Sequence, residues 1–228
     1  MNVSVIVATF GDQSWVDLAD ERALPSVDAQ TFPAHEVIAL HGPSLHATRN
    51  QAALDATGDW LCFLDADDEL EPGYLEAMAM QEPEPRERLA TPDEVDAGYE
   101  LGIAFDPAAA LLIPAVRYLD RLGRPKGDAA IPNIVPLRSM IEINRAVIGT
   151  LVPRDLFLDV GGFGDEPIYE DWSLWLRCVR EGAELVHVPG AVYRAWTRPR
   201  GRNRGTDASF TYWSIRAQHE GSCPALVS

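Results

Sequence analysis

From Val3 to Ala8 the chain is apolar at almost every position, and Val3, Val5, Ile6 and Val7 are β-branched. That run predicts a strand over 3–8, ending in the loop Thr9-Phe10-Gly11-Asp12. A helix is expected from Trp15 to Val27, with Pro25 near its end. His35 to Leu40 predicts a second short strand, stopped by His41-Gly42-Pro43. Ser44 to Ala56 carries Leu45, Ala52, Ala53 and Leu54 and is followed by Gly58, the pattern of a helix with a glycine cap. Trp60 to Leu64 is short, mostly apolar and uncharged, which reads as a strand buried on both faces, as in a parallel sheet. A helix over Pro72 to Gln81 follows. Strand, helix, strand, helix, strand is the opening of a doubly wound α/β domain.

The second half is less regular. Glu82 to Pro107 mixes prolines with acids and reads as a surface loop with at most short pieces of structure. Leu111 to Tyr118 and Ile131 to Leu137 are expected to be strands flanking a turn at Gly123-Arg124-Pro125-Lys126-Gly127. A connector with Asn144, Gly149 and Thr150 leads to a short helix at Arg154 to Val160 and a tight turn at Gly161-Gly162-Phe163. Trp172, Trp175, Leu176 and Val179 then fall on one helical face, and Gly182 ends that helix.

Composition narrows the class. A chain of 228 residues, 46% hydrophobic, is long enough for a full core and is expected to be one domain with extensions. Its net charge of −16 disfavours a general affinity for nucleic acid and argues weakly against an anionic membrane surface. Cys62, Cys178 and Cys223 are an odd number without CxxC spacing, so neither a disulfide framework nor a zinc site is suggested. The start of the chain lacks the pattern of a signal peptide. The apolar run from Ala108 to Val116 is broken by Pro114 and is too short to be a transmembrane segment. The expectation is a soluble protein of the reducing cytoplasm.

Two acidic groups carry the candidate chemistry. Asp65, Asp67 and Asp68 follow the buried strand directly, and ligands of open α/β sheets gather at the carboxyl ends of strands. Carboxylates this close repel one another, and a divalent cation relieves that repulsion while gripping a diphosphate. Hard oxygen ligands suit Mg²⁺ or Mn²⁺. The competing reading is a solvated turn that caps the helix near Pro72. Glu170 and Asp171 stand at the start of the Trp172 helix, where helix capping and general-base catalysis are equally good explanations.

Taken in order, Val3 to Phe10, Ala47-Thr48-Arg49-Asn50, Leu64-Asp65-Ala66-Asp67-Asp68, Gly161-Gly162-Phe163 and Glu170-Asp171-Trp172 resemble the inverting family 2 glycosyltransferases of GT-A fold. The resemblance covers most of residues 1–196. It implies a doubly wound mixed α/β sheet, with a Rossmann-like nucleotide-sugar-binding half over 1–81 and an acceptor half over 108–196. Residues 197–228 would then form a flexible basic loop and a short helix.

By the same resemblance, Asp65-Ala66-Asp67 matches the family's DXD motif. Asp67 would hold Mn²⁺ or Mg²⁺, Asp65 would face the metal, ribose or sugar, and Asp68 would be auxiliary. The donor would be a nucleoside diphosphate sugar, with a UDP-sugar expected. Asp171 matches the catalytic base and Glu170 its neighbour. Thr9 and Phe10 match the loop that receives the nucleotide base, and Arg49 lies where the family contacts the nucleotide. Gly162, Phe163 and Trp172 would line the acceptor side. Two places depart from the pattern. His41-Gly42-Pro43-Ser44 stands where relatives carry acids that recognise uracil, with Asp12 as a substitute. Tyr193-Arg194-Ala195-Trp196 stands where many relatives carry a histidine.

Arg198, Arg200, Arg202 and Arg204 are four arginines within an acidic chain. They read as a lid over the diphosphate (Arg198 and Arg202), a solvated linker, or a docking patch for an anion. The aromatic segment Ser209 to Arg216 suits core packing, a homodimer contact or a cover over the acceptor cleft. The acceptor is open among glycan, lipid carrier, protein and small molecule. Two rival functions stand beside transfer: a non-catalytic nucleotide-sugar-binding module and a sugar-phosphate nucleotidyltransferase.

Overall fold

The apolar run at the start forms β1 (Val3–Phe10), buried from Val3 to Thr9, in a computed structural model that describes residues 1–81, 86–88, 104–106, 110–128, 137–197 and 206–220. The helical stretch after it has three parts: α1 (Ser14–Leu18), a wider π-helical turn over Ala19–Ala23, and α2 (Leu24–Asp28). Pro25 has no N–H and its ring crowds the carbonyl four residues back. The wider turn accommodates it, with Leu24 N–H donating to the Ala19 carbonyl. Next come β2 (Glu36–Gly42), α3 (Leu45–Asp55) and β3 (Trp60–Phe63). Ser44 caps α3 by accepting from Ala47 N–H at 3.4 Å.

Gly58 is not a helix cap, contrary to the sequence reading. The helix ends at Ala56 in extended backbone, and Gly58 N–H donates to Ser4 Oγ at 3.0 Å. A side chain there would bring Cβ within 2.5 Å of that oxygen, so Gly58 lets the chain pass close against β1.

After β3 the chain forms β4 (Glu69–Leu70) and α4 (Tyr74–Ala79). Most of 82–107 lies outside the described residues, where β5 (Arg86–Arg88) and β6 (Ala104–Asp106) pair as an antiparallel ribbon. Then follow β7 (Ala110–Leu119) and β8 (Pro125–Asp128), joined by a tight hairpin. The expected partner strand at 131–136 lies outside the described residues, and Leu137 opens helix α5 (Leu137–Glu142) instead. The remaining elements are β9 (Val152–Pro153), α6 (Arg154–Asp159), α7 (Glu170–Arg180), β10 (Glu184–Trp196) and α8 (Thr206–Glu220).

The strands build two mixed four-stranded sheets. The first has the order β2-β1-β3-β9, with β1 parallel to both β2 and β3. The second has the order β4-β10-β7-β8, with β7 and β10 parallel. Leu112 and Leu151 exchange two backbone hydrogen bonds, of 3.0 and 2.9 Å, and so tie β7 to the segment entering β9. One apolar core runs from β1 and β3 through Leu111 to Ile113 on β7 to Trp172, Trp175 and Leu176 of α7. Cys62 and Cys178 are both buried in that core, and burial pushes both thiols up to about 12. They are packing residues and not nucleophiles. Among the described residues no helix is long and apolar enough to cross a membrane.

Candidate active site

The acid loop begins where β3 stops. Leu64 N–H still donates to the Ile6 carbonyl of β1 at 2.9 Å, and Asp68 N–H turns back onto the Asp65 carbonyl at 3.0 Å. Asp65, Asp67 and Asp68 are thereby held at the carboxyl end of the first sheet, each offering an oxygen within 4.8 Å of the others. They are not equivalent. Asp68 is buried, accepts the Tyr193 hydroxyl at 2.8 Å and accepts Trp196 N–H at 2.8 Å. Burial, then Asp65 and Asp67, drive its carboxyl well above the usual range, against the pull of those two donors. Its two oxygens are occupied, so Asp65 and Asp67 are the better cation ligands. One oxygen of Asp65 meets Arg49 Nη2 at 2.5 Å.

The loop is braced from outside by residues that the sequence did not single out. Arg22 donates to the Asp67 carbonyl at 2.7 Å, and its guanidinium lies 3.9 Å from the centre of the Trp196 ring. Trp196 in turn anchors Asp68 through its backbone. The stretch Tyr193 to Trp196, where the resemblance led one to expect a histidine, thus ends in a tryptophan beside the acid loop. Arg22 sits on a helix and Tyr193 on a strand with nothing local to mark them, so these contacts had no sequence signal.

The second group sits at the start of α7. Tyr169, just before it, has φ 61°, the left-handed region that a non-glycine residue rarely adopts. Its ring packs edge-on against Trp172, with centroids 6.0 Å apart. Neither acid caps the helix by the usual side-chain bond, because the N-cap is Tyr169 and makes none. Glu170 is turned inward and pairs with Arg49 Nη1 at 2.8 Å. Asp171 accepts Trp172 N–H at 2.8 Å and the Asn144 side-chain amide at 3.0 Å. Asn144 is itself oriented, since its oxygen accepts Ala146 N–H at 3.1 Å. Burial and then Glu170 raise the Asp171 carboxyl to about 7, with Trp172 N–H, Arg49 and Asn144 opposing. A carboxyl poised near neutrality on a fixed backbone is well matched to taking a proton.

Arg49 joins the two groups. Its side chain is 2% exposed, spans Asp65 and Glu170, and lies 4.9 Å from the centre of the Phe163 ring. Its terminal nitrogens are thus engaged by protein carboxylates on two sides. Asn50 beside it accepts Phe163 N–H at 2.8 Å and donates to the Phe163 carbonyl at 2.9 Å. The tight turn it grips has φ 83° at Gly161 and 68° at Gly162, which suits glycine.

The remaining candidates divide. Phe10, 37% exposed, stands at the carboxyl end of β1. Thr9 is buried, and its hydroxyl lies 3.0 Å from His41 Nδ1 at the end of β2. Asp12 is exposed and accepts Ser14 N–H at 3.0 Å, fixing the start of α1. Phe163 and Trp172, expected on the acceptor side, are both buried. Phe163 is buried among Phe63 and Phe157, with centroids 4.9 and 5.5 Å away. Trp172 is 1% exposed and donates its indole N–H to the Met140 carbonyl at 2.6 Å. Both pack behind the site, and Gly162 is buried beside them. Arg198 and Arg202 lie outside the described residues.

Residues 34–90, which carry β2, α3, β3, the acid loop and α4, match the sequence profile of Glycosyl transferase family 2. The chain as a whole has the GT-A fold. It is similar to S. aureus TarS 1–349 in complex with UDP-GlcNAc. That likeness has a TM-score of 0.63 at 15% identity and covers 97% of this chain and 66% of that one. It is also similar to TarS 1–349 in complex with UDP, with a TM-score of 0.60 at 16% identity over 96% and 65% of the two chains. For a further S. aureus TarS structure the TM-score is 0.58 at 17% identity over 94% and 39%. The chain thus spans from about two fifths to about two thirds of the solved chains it resembles. No curated protein sequence matches it.

Proposed function

We infer that this glycosyltransferase moves a sugar from a nucleoside diphosphate sugar to an acceptor hydroxyl with inversion at the anomeric carbon. The observation that carries this reading is that one buried guanidinium holds both Asp65 of the acid loop and Glu170 beside Asp171. Donor-side and acceptor-side acids, 105 or more positions apart in sequence, therefore belong to one assembly.

Asp171 removes the acceptor proton as that oxygen forms its bond to the anomeric carbon. The bond from that carbon to the diphosphate oxygen breaks, its electron pair leaving with the nucleoside diphosphate. Attack from the face opposite the leaving group inverts the configuration in one displacement. Asp67 and Asp65 suit Mg²⁺ or Mn²⁺ by donor chemistry, and with Asp68 they offer three carboxylate oxygens within 4.8 Å of one another. Such an ion, when bound, supplies positive charge for the departing diphosphate. Phe10 at the end of β1 offers a ring for a nucleotide base, and His41, bonded to Thr9, opens the stretch where the family resemblance leads one to expect acids. The likeness to a structure in complex with UDP-GlcNAc favours a UDP-sugar as the first donor to try.

A panel of nucleotide sugars, with and without Mn²⁺, tests the reading by thermal shift, because bound donor raises apparent stability by mass action. Analysis of the product anomer by NMR then tests inversion. A retained anomeric configuration, or no stabilisation by any donor, would reject it.

A further inference from the structure

We propose that Arg49 is a positioning residue for the transfer reaction, a buried fork that ties Asp65 on the donor side to Glu170 and so holds Asp171 where the acceptor arrives. This rests on reading Asp171 as the base.

The geometry supports that assignment over a nucleotide contact or a plain core ion pair. Arg49 lies on α3, and its two terminal nitrogens go to different elements: Asp65 after β3 at 2.5 Å and Glu170 on α7 at 2.8 Å. Only a planar guanidinium reaches two carboxylates in divergent directions while keeping a face on Phe163. The grip is doubled by Asn50, which fixes the Phe163 backbone, and by Arg177, which donates to the Val160 and Gly162 carbonyls from within α7. α3 is thereby tied to the start of α7 through Glu170 and to the turn at 160–163, which α7 also holds through Arg177. Asp171 is one residue beyond Glu170, so a shift of that glutamate moves the base.

The charged groups facing Asp171 are Glu170 on its own helix and Arg49 from α3, while Asn144 is neutral. Glu170 makes Asp171 harder to ionise and Arg49 makes it easier. Any ligand that draws on Asp65 changes how Arg49 divides itself between its two acids. The donor side and the base are thus linked through one side chain.

The test uses Arg49→Lys, Arg49→Met and Glu170→Gln in the full chain, with far-UV circular dichroism to check folding. Arg49→Lys keeps the charge but loses the fork. Its kcat should fall at least about tenfold, with the donor KM within about threefold of the parent and the acid limb of kcat/KM in place. Arg49→Met should move that limb up by about one pH unit, and Glu170→Gln should move it down. A residue that merely supported the fold would lower activity without moving the limb in opposite directions. If Arg49→Met fails to fold, the other two variants still decide. A kcat within twofold in Arg49→Lys, or an unmoved limb in Glu170→Gln, overturns the proposal. A chemical-shift titration of the Asp171 carboxyl in the parent and in Glu170→Gln reads the same displacement without turnover. Absence of transfer in the parent would therefore strike the reaction alone, and an unmoved titration would strike the Arg49 link.

Discussion

The acid loop and the start of α7 meet the same difficulty, several carboxylates in little space, and solve it in different ways. At the start of α7 the division of labour lies within the protein. Arg49 and the helix interior absorb Glu170, which leaves Asp171 beside a neutral amide and titrating near 7. In the acid loop three carboxylates are shared among several partners. Arg49 takes one oxygen of Asp65, while the Tyr193 hydroxyl and Trp196 N–H take Asp68, whose carboxyl is driven well above the usual range by burial. On the proposed reading, one carboxyl held near neutrality suits a proton acceptor, whereas three acids gathered at a strand end suit a site completed by a cation.

The largest test of that contrast is Asp171→Asn. Turnover should fall on the order of a hundredfold or more with donor binding preserved, measured by initial rates alongside thermal shift with donor. Near-normal turnover would remove Asp171 from the chemistry. On the other side, Asp67→Asn should leave the fold intact but weaken stabilisation by Mn²⁺ by at least about tenfold in apparent affinity. Metal response equal to that of the parent would break the comparison there.

The pH dependence sharpens the first half. With Asp171 raised to about 7, kcat/KM should climb with pH through that value and level off above it, by about tenfold between pH 6 and 8. The linked stability runs the other way. The folded state holds the proton that the unfolded chain releases near 3.8, so this contribution to stability is full below about 4. It is lost as pH rises toward about 7. Chemical denaturation of Asp171→Asn should lack that falling segment. A smaller effect is expected at the brace. Tyr193→Phe strips a donor from buried Asp68 and should cost about 1–3 kcal/mol, read from urea midpoints. Arg22→Ala removes the stack on Trp196 and should cost about 0.5–1 kcal/mol, with a correspondingly modest loss of Mn²⁺ response.

Much of this protein was legible along the chain. Val3 to Ala8, Trp60 to Leu64 and Leu111 to Val116 announce themselves because strands buried on both faces need mostly apolar runs. Glu170 and Asp171 could be placed at a helix start because Trp172, Trp175, Leu176 and Val179 keep helical period. The hairpin strand at Pro125–Asp128 was missed for the converse reason. All four of its residues are exposed, so no burial pattern marks this edge strand.

Sequence alone determined the alternation of elements, the acid cluster at a strand end, the resemblance to a family and the acidic character of the chain. These depend on local pattern and residue type. Only the tertiary structure decided what each acid touches. Arg49 meets Glu170 across 121 positions, Tyr193 meets Asp68 across 125, and Asn144 meets Asp171 across 27. A carboxylate's charge and reach are set by such distant neighbours and by its removal from water, and neither quantity exists until the chain has folded.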